Sequence, residues 1–151
     1  MGMTNSEIAQ RFADGYERGN SGNMFIEGDT IYSYGYHFAI ARRVCPGVLV
    51  TTRTYSSTTA KHVSHVRHAL RYHTVVRCYD PKGSHDLNLT KYLKEIEVLV
   101  GKLSKARKPE IWKARIQDVC KDAIMYCDWF KVSLAKLDAY LYSENYKPKN
   151  K

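Results

Sequence analysis

The spacing of apolar residues changes after residue 86, and this change constrains the fold more than any other feature of the chain. Before it, short runs of alternating apolar and polar residues are interrupted by glycine and proline, which is typical of antiparallel strands. After it, apolar residues recur three and four positions apart, which is typical of amphipathic helices. Strands followed by separate helices predict an α+β fold. The 151 residues suit one domain with an α/β subregion (5–86), a helical hairpin (87–145) and a basic tail (146–151).

A small antiparallel meander with two helices is predicted for the first subregion. Apolar residues four positions apart predict a short N-terminal helix over 5–19. A second helix is predicted to be capped by Ser57, Thr58 or Thr59 and to end near His73. Turn signals between apolar runs predict four strands, over residues 24–27, 31–44, 48–55 and 74–79.

The predicted strand 31–44 would carry a ladder of aromatic side chains, because alternate residues share one face of a sheet. Gly35, on the opposite face, would permit close approach of a backbone or a ligand. Two interpretations stay open, a plain core face and a platform on which nucleic-acid bases stack. The even positions of this strand are Tyr32, Tyr34, Tyr36, Phe38 and Ile40.

Two helices with a short link are predicted to pack as an antiparallel hairpin. The first apolar seam runs from Leu89 to Leu103 and the second from Ile116 to Leu141, with a break around Pro109. Because the second helix is predicted to be longer, its overhang would cover the sheet, the N-terminal helix or another subunit. A homo-oligomer formed through this helix is therefore one expectation.

The chain is strongly basic, with 24 Lys and Arg against 15 Asp and Glu and a formal net charge of +9. This excess favours a polyanionic partner, with nucleic acid first and an anionic membrane surface second. The four cysteines show no spacing typical of zinc ligands, which predicts free thiols in a reducing cytoplasm. No apolar run approaches the length needed to cross a bilayer, so no membrane association is expected.

The second helix carries one of two basic clusters. Its histidines are three, three and five positions apart and no acidic residue accompanies them, so we expect neither a metal nor a cofactor. A solvated face and an anion-binding face are the two interpretations of this cluster. Its predicted nucleic-acid contacts are Lys61, His65, Arg67, His68 and Arg71.

His62 lies at the edge of the buried stripe, one turn inside the helix. It is either a structural histidine bonded to a tyrosine hydroxyl or to Thr58, or a phosphate-binding or general-base residue. The sequence shows no Ser/His/Asp order, glycine-rich phosphate loop or carboxylate pair. No catalytic residue is therefore assigned, and an enzyme is disfavoured.

The second basic cluster surrounds the break in the helical hairpin. Cations beside an aromatic residue suit phosphate contacts combined with base stacking, whereas a solvated surface with an anchored tryptophan is the alternative. The residues predicted to contact nucleic acid here are Lys105, Arg107, Lys108, Trp112, Lys113 and Arg115.

The runs GDTIYSYGYHF (28–38) and YSSTTAKH (55–62) resemble a family of small phage and prophage proteins known only as a domain of unknown function. The resemblance covers residues 25–70. It implies an origin in a mobile element and expression in a bacterial cell, and it carries no activity or catalytic residue to this chain. The positions that the two motifs select for testing are Tyr34, Gly35, His37, Thr59, Lys61 and His62.

Together these features predict a basic phage accessory protein that binds nucleic acid without catalysis in the cytoplasm of a bacterial host. The alternative is a protein that binds a host factor, in anti-defence or assembly, through the long helix or the tyrosine ladder. A nuclease or hydrolase that depends on His62 is a third hypothesis.

Overall fold

The computed structural model describes residues 2–133 and 135, and within them the chain forms six strands and four helices. The α+β fold predicted from the sequence is confirmed. The chain divides into two compact units, Met1–Gly83 and Ser84–Lys151. None of the helices in the described residues is both long enough and apolar enough to span a bilayer.

The first unit combines a six-stranded sheet with two helices. Its elements are α1 (Asn5–Ala13), β1 (Arg18–Asn20), β2 (Met24–Glu27), β3 (Thr30–Ser33), β4 (Ala39–Val44), β5 (Gly47–Thr51), α2 (Ser57–Ala69) and β6 (Val75–Cys78). The strands lie in the sheet in chain order. Strands β1 to β5 pair antiparallel, whereas β5 and β6 pair parallel because α2 connects them.

Helix α1 begins with a capping box, in which Thr4 and Glu7 each accept a hydrogen bond from the other's backbone N–H. It ends at Ala13 and not at residue 19, because Gly15 takes a positive φ of 97° and the chain turns into β1. The predicted helix is therefore correct in place and too long at its C-terminal end.

The prediction of one strand over 31–44 is wrong, because β3 and β4 form a hairpin around residues 34–38. Tyr34 takes a left-handed φ of 63°, and the Ser33 N–H closes the loop on the carbonyl of Phe38 at 3.0 Å. The aromatic ladder consequently does not exist. Tyr32 and Phe38 are buried, whereas Tyr34 and Tyr36 lie exposed in the loop.

Helices α1 and α2 pack against each other and against one face of the sheet. Because α2 buries one side in this core, its opposite side faces solvent. The largest buried apolar side chains of this core are Ile8, Phe12, Met24, Ile31, Phe38, Ile40 and Leu70.

The second unit is the predicted antiparallel hairpin, formed by α3 (His85–Leu103) and α4 (Pro109–Phe130). Ser84 caps α3 through its hydroxyl, and Pro109 occupies the first turn of α4. Helix α4 has 22 residues against 19 in α3 and ends at Phe130, because Lys131 takes a left-handed φ of 55°. The prediction that this helix continues unbroken to Leu141 is therefore wrong at Lys131. The predicted tail (146–151) lies outside the described residues.

The buried side chains of the hairpin differ in part from the predicted seams. Tyr92 and Tyr126 are buried although neither belongs to a predicted seam, and the Tyr126 hydroxyl bonds to His85 Nδ1 (2.7 Å) and Asn88 Nδ2 (3.1 Å). These two residues were not predicted to be buried, because the predicted seams contain only residues at the apolar spacing and both tyrosines lie outside it. The buried residues are Asn88, Leu89, Tyr92, Ile96, Leu99, Ile116, Ala123, Tyr126 and Cys127.

Candidate nucleic-acid interface

The first turn of α2 is fixed by a capping box. Ser56 is the N-cap, so the predicted caps at residues 57–59 are displaced by one to three positions. The Ser56 Oγ accepts from the Thr59 N–H (3.2 Å), and the Thr59 Oγ1 accepts from the N–H groups of Ser56 (2.9 Å) and Tyr55 (3.1 Å). Thr59, a candidate from the motif, therefore holds the helix start in place.

The outer side of α2 carries unneutralised positive charge. Lys61, Arg67, His68 and Arg71 are exposed and His65 is half-buried. No acidic residue occurs between 57 and 73. Within the part of the chain that the structure describes, none of these side chains pairs with a carboxylate. All five residues of the first predicted cluster thus lie on the same short helix or directly after it.

An exposed aromatic side chain follows the helix. Tyr72 is 88% exposed, and the Arg71 guanidinium carbon lies 4.8 Å from the centre of its ring. The Arg71 Nη1 also donates to the carbonyl of His68 at 2.8 Å, which holds the guanidinium against the end of α2. A cation and an aromatic ring are therefore presented together to solvent.

His62 is joined to the sheet by a buried hydrogen bond. Its Nδ1 lies 2.7 Å from the Ser33 Oγ, and the two residues are 2% and 1% exposed. The predicted partners, a tyrosine hydroxyl or Thr58, are wrong, since the partner is the serine at the end of β3. Burial and, to a lesser degree, the nearby His65 lower the pKa of His62, so the imidazole is neutral at pH 7.

The β3–β4 loop places the remaining motif residues beside the start of α2. The Tyr34 ring centre lies 5.3 Å from that of His62. A Cβ on Gly35 would come within 2.9 Å of His37 Nδ1, so glycine makes room for the His37 ring. His37 itself is exposed. The two motifs therefore meet in space, where they fasten the loop to the helix.

This arrangement gives a nucleophilic mechanism no support. Ser33 and His62 are both buried, and no carboxylate among the described residues is bonded to the imidazole of His62. Across the described ranges, no three His, Cys, Asp or Glu side chains are placed to hold a metal ion. What the motif segment can do chemically is to hold α2 and its exposed neighbours in fixed positions.

The second basic cluster lies at the turn of the α3–α4 hairpin. Lys105, Arg107 and Lys108 are exposed there, whereas Lys113 lies 3.9 Å from a Glu110 carboxylate oxygen. Trp112 is half-buried, and its ring is contacted by Lys102 Nζ at 5.3 Å and by the Arg115 guanidinium at 5.1 Å. Trp112 and Arg115 therefore contact each other, and Lys105, Arg107 and Lys108 pair with no carboxylate of the described residues.

Sequence reasoning missed the role of Arg53, which follows β5. Its side chain is 8% exposed, pairs with Asp80 at 3.5 Å, and lies over the rings of Phe38 (4.9 Å) and Tyr79 (5.3 Å). A lone arginine within the predicted strand 48–55 was the available signal. Because Arg53 is buried and paired, its charge is not accessible to a ligand, whereas the cations of α2 are exposed.

In comparisons with known proteins, no family model, curated protein or solved structure matches the chain. The resemblance of residues 25–70 to phage proteins stays a prediction.

Proposed function

We propose that this protein binds nucleic acid without catalysis and that the outer side of α2 is the principal contact. The observation that carries the proposal is the set of exposed cations on α2 that no described carboxylate neutralises. Phosphate groups are the common polyanionic ligand of such a surface, and Lys and Arg are the residues that bind them most often.

The chemistry of the helix suits contacts to the backbone of a nucleic acid. Lys61, Arg67 and Arg71 offer full charges on flexible side chains, and the rings of His65 and His68 add N–H donors. No carboxylate on α2 is present to accept from a base amino group. We therefore expect binding that depends little on base sequence, with a dissociation constant of about 10⁻⁶ to 10⁻⁴ M at physiological salt.

The turn of the α3–α4 hairpin supports a second, independent contact. Lys105, Arg107 and Lys108 are exposed there and free of carboxylates in the described chain. Trp112 is contacted by two cations, so we assign it a packing role and assign the phosphate contacts to the three unpaired side chains.

Charge removal at α2 tests the proposal directly. In a fluorescence-anisotropy titration at low salt, the triple variant Lys61→Gln/Arg67→Gln/Arg71→Gln is expected to bind an oligonucleotide about tenfold or more weakly than the unchanged protein. The matched control, Arg18→Gln/Lys82→Gln/Lys94→Gln, removes the same charge from exposed positions elsewhere and is expected to change affinity by less than about threefold.

Two results would remove the proposal. One is an unchanged protein that binds no oligonucleotide more tightly than about 10⁻⁶ M at low salt, since phosphate contacts are strongest there. The other is an equal loss of affinity in both triple variants, because net charge and not the surface of α2 would then decide binding.

Binding of a protein partner is the second candidate, and a cluster of aromatic rings favours it. Tyr36 is exposed and packs edge-on to Phe25 and Tyr32, each with ring centres 5.1 Å away. The resemblance to phage proteins supports a host factor as that partner and a bacterial cytoplasm as the setting. Capture from host lysate after nuclease treatment, compared between the unchanged protein and Tyr36→Ala, tests this candidate. A homo-oligomer formed through the C-terminal helix stays a prediction.

A further inference from the structure

We propose that the nucleic acid bound on α2 is single-stranded and that its bases stack on Tyr34 and Tyr72. This inference rests on the proposed function and names the class of ligand. It is carried by two exposed aromatic residues, Tyr34, whose ring contacts His62 near the start of α2, and Tyr72, which follows the end of α2 beside Arg71.

Tyr34 is held in an unusual backbone conformation that presents its ring to solvent. Its φ of 63° is uncommon for a residue other than glycine, asparagine or aspartate. The Tyr34 N–H donates to the carbonyl of Asn23 at 2.8 Å, which fixes the backbone. Tyr34 is 57% exposed although its ring contacts His62, so only part of the surface of this residue is used within the fold.

Tyr72 presents a second ring beyond the other end of the helix. One contact, with the Arg71 guanidinium, accounts for its interactions with the described residues, and 88% of the residue is open to solvent. A base stacked on this ring would also lie near the Arg71 charge, which suits the adjacent phosphate.

The cations between the two rings match the backbone of a short strand. Lys61, His65 and His68 project from one side of α2, because their spacings of four and three are near one turn. From His62, which Tyr34 contacts, to Ala69, where α2 ends, the helix rises about 10 Å, and Tyr72 lies in the turn that follows. At about 3.4 Å for each nucleotide of a stacked strand, about three nucleotides would span this length of helix alone.

A duplex could use the cations of α2 but not the tyrosines. The bases of a duplex stack on one another and expose only their edges in the grooves. An unpaired strand offers the faces of its bases, and stacking on aromatic side chains depends little on which base is present. Exposed tyrosines beside phosphate-binding cations therefore favour an unpaired strand.

The test compares a labelled 12-nucleotide strand with the same strand annealed to its complement, in DNA and in RNA. We expect the unchanged protein to bind a single strand at least about tenfold more tightly than its duplex at equal salt. The double variant Tyr34→Asn/Tyr72→Ala is expected to lose about tenfold or more for single strands and to keep its duplex affinity. Asparagine is chosen at position 34 because it tolerates the left-handed conformation.

Tyr16→Ala is the matched control. Tyr16 is exposed and has a guanidinium, that of Arg11, 4.7 Å from its ring, as Tyr72 has that of Arg71, but it lies at the end of α1. Its replacement should leave single-strand affinity unchanged. A thermal unfolding midpoint for each variant shows that the fold is retained.

The outcomes separate the two proposals. Duplexes bound as tightly as both single strands, or full single-strand affinity in the tyrosine double variant, would overturn the inference. The proposed function would stand in that case, provided that the α2 charge variant still binds weakly. No binding to any of the four ligands would overturn both. A single strand of either chemistry bound above its own duplex supports the inference, and the tighter of DNA and RNA identifies the ligand.

Discussion

His62 shows how one side chain can be constrained to a single protonation state. Its imidazole is buried between the Ser33 hydroxyl, the Tyr34 ring and the body of α2, with His65 as the neighbouring titratable group. Burial lowers its pKa in the folded chain below the ordinary value of 6.5. The unfolded chain therefore binds a proton at His62 more readily than the folded chain does.

This difference predicts a stability that depends on pH. The contribution of neutral His62 is complete above about pH 6.5 and declines as the pH falls from there toward the folded-state pKa. In urea unfolding at pH 7.5, 6.5 and 5.5, the loss of unfolding free energy on acidification should be smaller in His62→Gln than in the unchanged protein.

His68→Gln is the control, because His68 is exposed on the same helix. Its loss of stability on acidification should match that of the unchanged protein. A His62→Gln slope equal to that of His68→Gln would mean that the burial of His62 does not influence the pH dependence.

At the level of secondary-structure elements, Arg43 joins three segments of the first unit. Its guanidinium donates to the carbonyls of Phe12 (2.7 Å) and Tyr16 (3.2 Å), which lie in and after α1, and to that of Gly28 (2.8 Å) in the β2–β3 turn. It also lies 4.7 Å from the Phe12 ring centre. Arg43 thereby supplies charged donors to two carbonyls at and after the end of α1, of which that of Phe12 also accepts from the Gly15 N–H at 3.1 Å.

Replacement of Arg43 by lysine should destabilise the fold although the charge is kept. An ammonium cannot reproduce the planar fork that reaches three carbonyls, so the unfolding free energy should fall by about 1 to 3 kcal/mol. Arg18→Lys, at an exposed position in β1, should change it by less than about 0.5 kcal/mol. Equal unfolding midpoints in urea for Arg43→Lys and the unchanged protein would contradict this prediction.

Local patterns predicted the helices better than the sheet. The cap and the apolar spacing of α2 are encoded within about fifteen residues, and this placed Lys61 and Arg71 correctly on an exposed side. The alternation of aromatic and small residues across 31–44 continues through the β3–β4 loop. No local pattern indicates that β3 pairs with β4, so one strand was predicted. Gly35 in the middle of that run was the available signal for a break.

The contacts that complete the site are distant in sequence and could not be predicted from local patterns. Ser33 and His62 are 29 positions apart, and Arg43 and Phe12 are 31 apart. The two motifs were visible as motifs, but only their tertiary contact shows that they fasten a loop to a helix. The exposed cations could be predicted without tertiary contacts, because a helix with basic and no acidic residues has a positively charged side.

For the whole molecule, the net charge of +9 predicts a strong dependence of binding on salt. The logarithm of the binding constant should fall linearly with the logarithm of salt concentration, at about 0.7 per phosphate contact with a single strand. Removing Lys61, Arg67 and Arg71 should therefore make the slope shallower by about two. Anisotropy titrations at four salt concentrations measure the slope, and an affinity independent of salt would contradict the prediction.

The parallel pairing of β5 with β6 has a consequence for any ligand of α2. Helix α2 connects two hydrogen-bonded strands through short loops and also packs on α1, β4 and β5, so its backbone is held in place before any ligand binds. The backbone positions that carry the charges are consequently fixed before binding. Association would therefore cost the backbone of α2 little conformational entropy, and most of the entropy lost on binding would be that of the ligand.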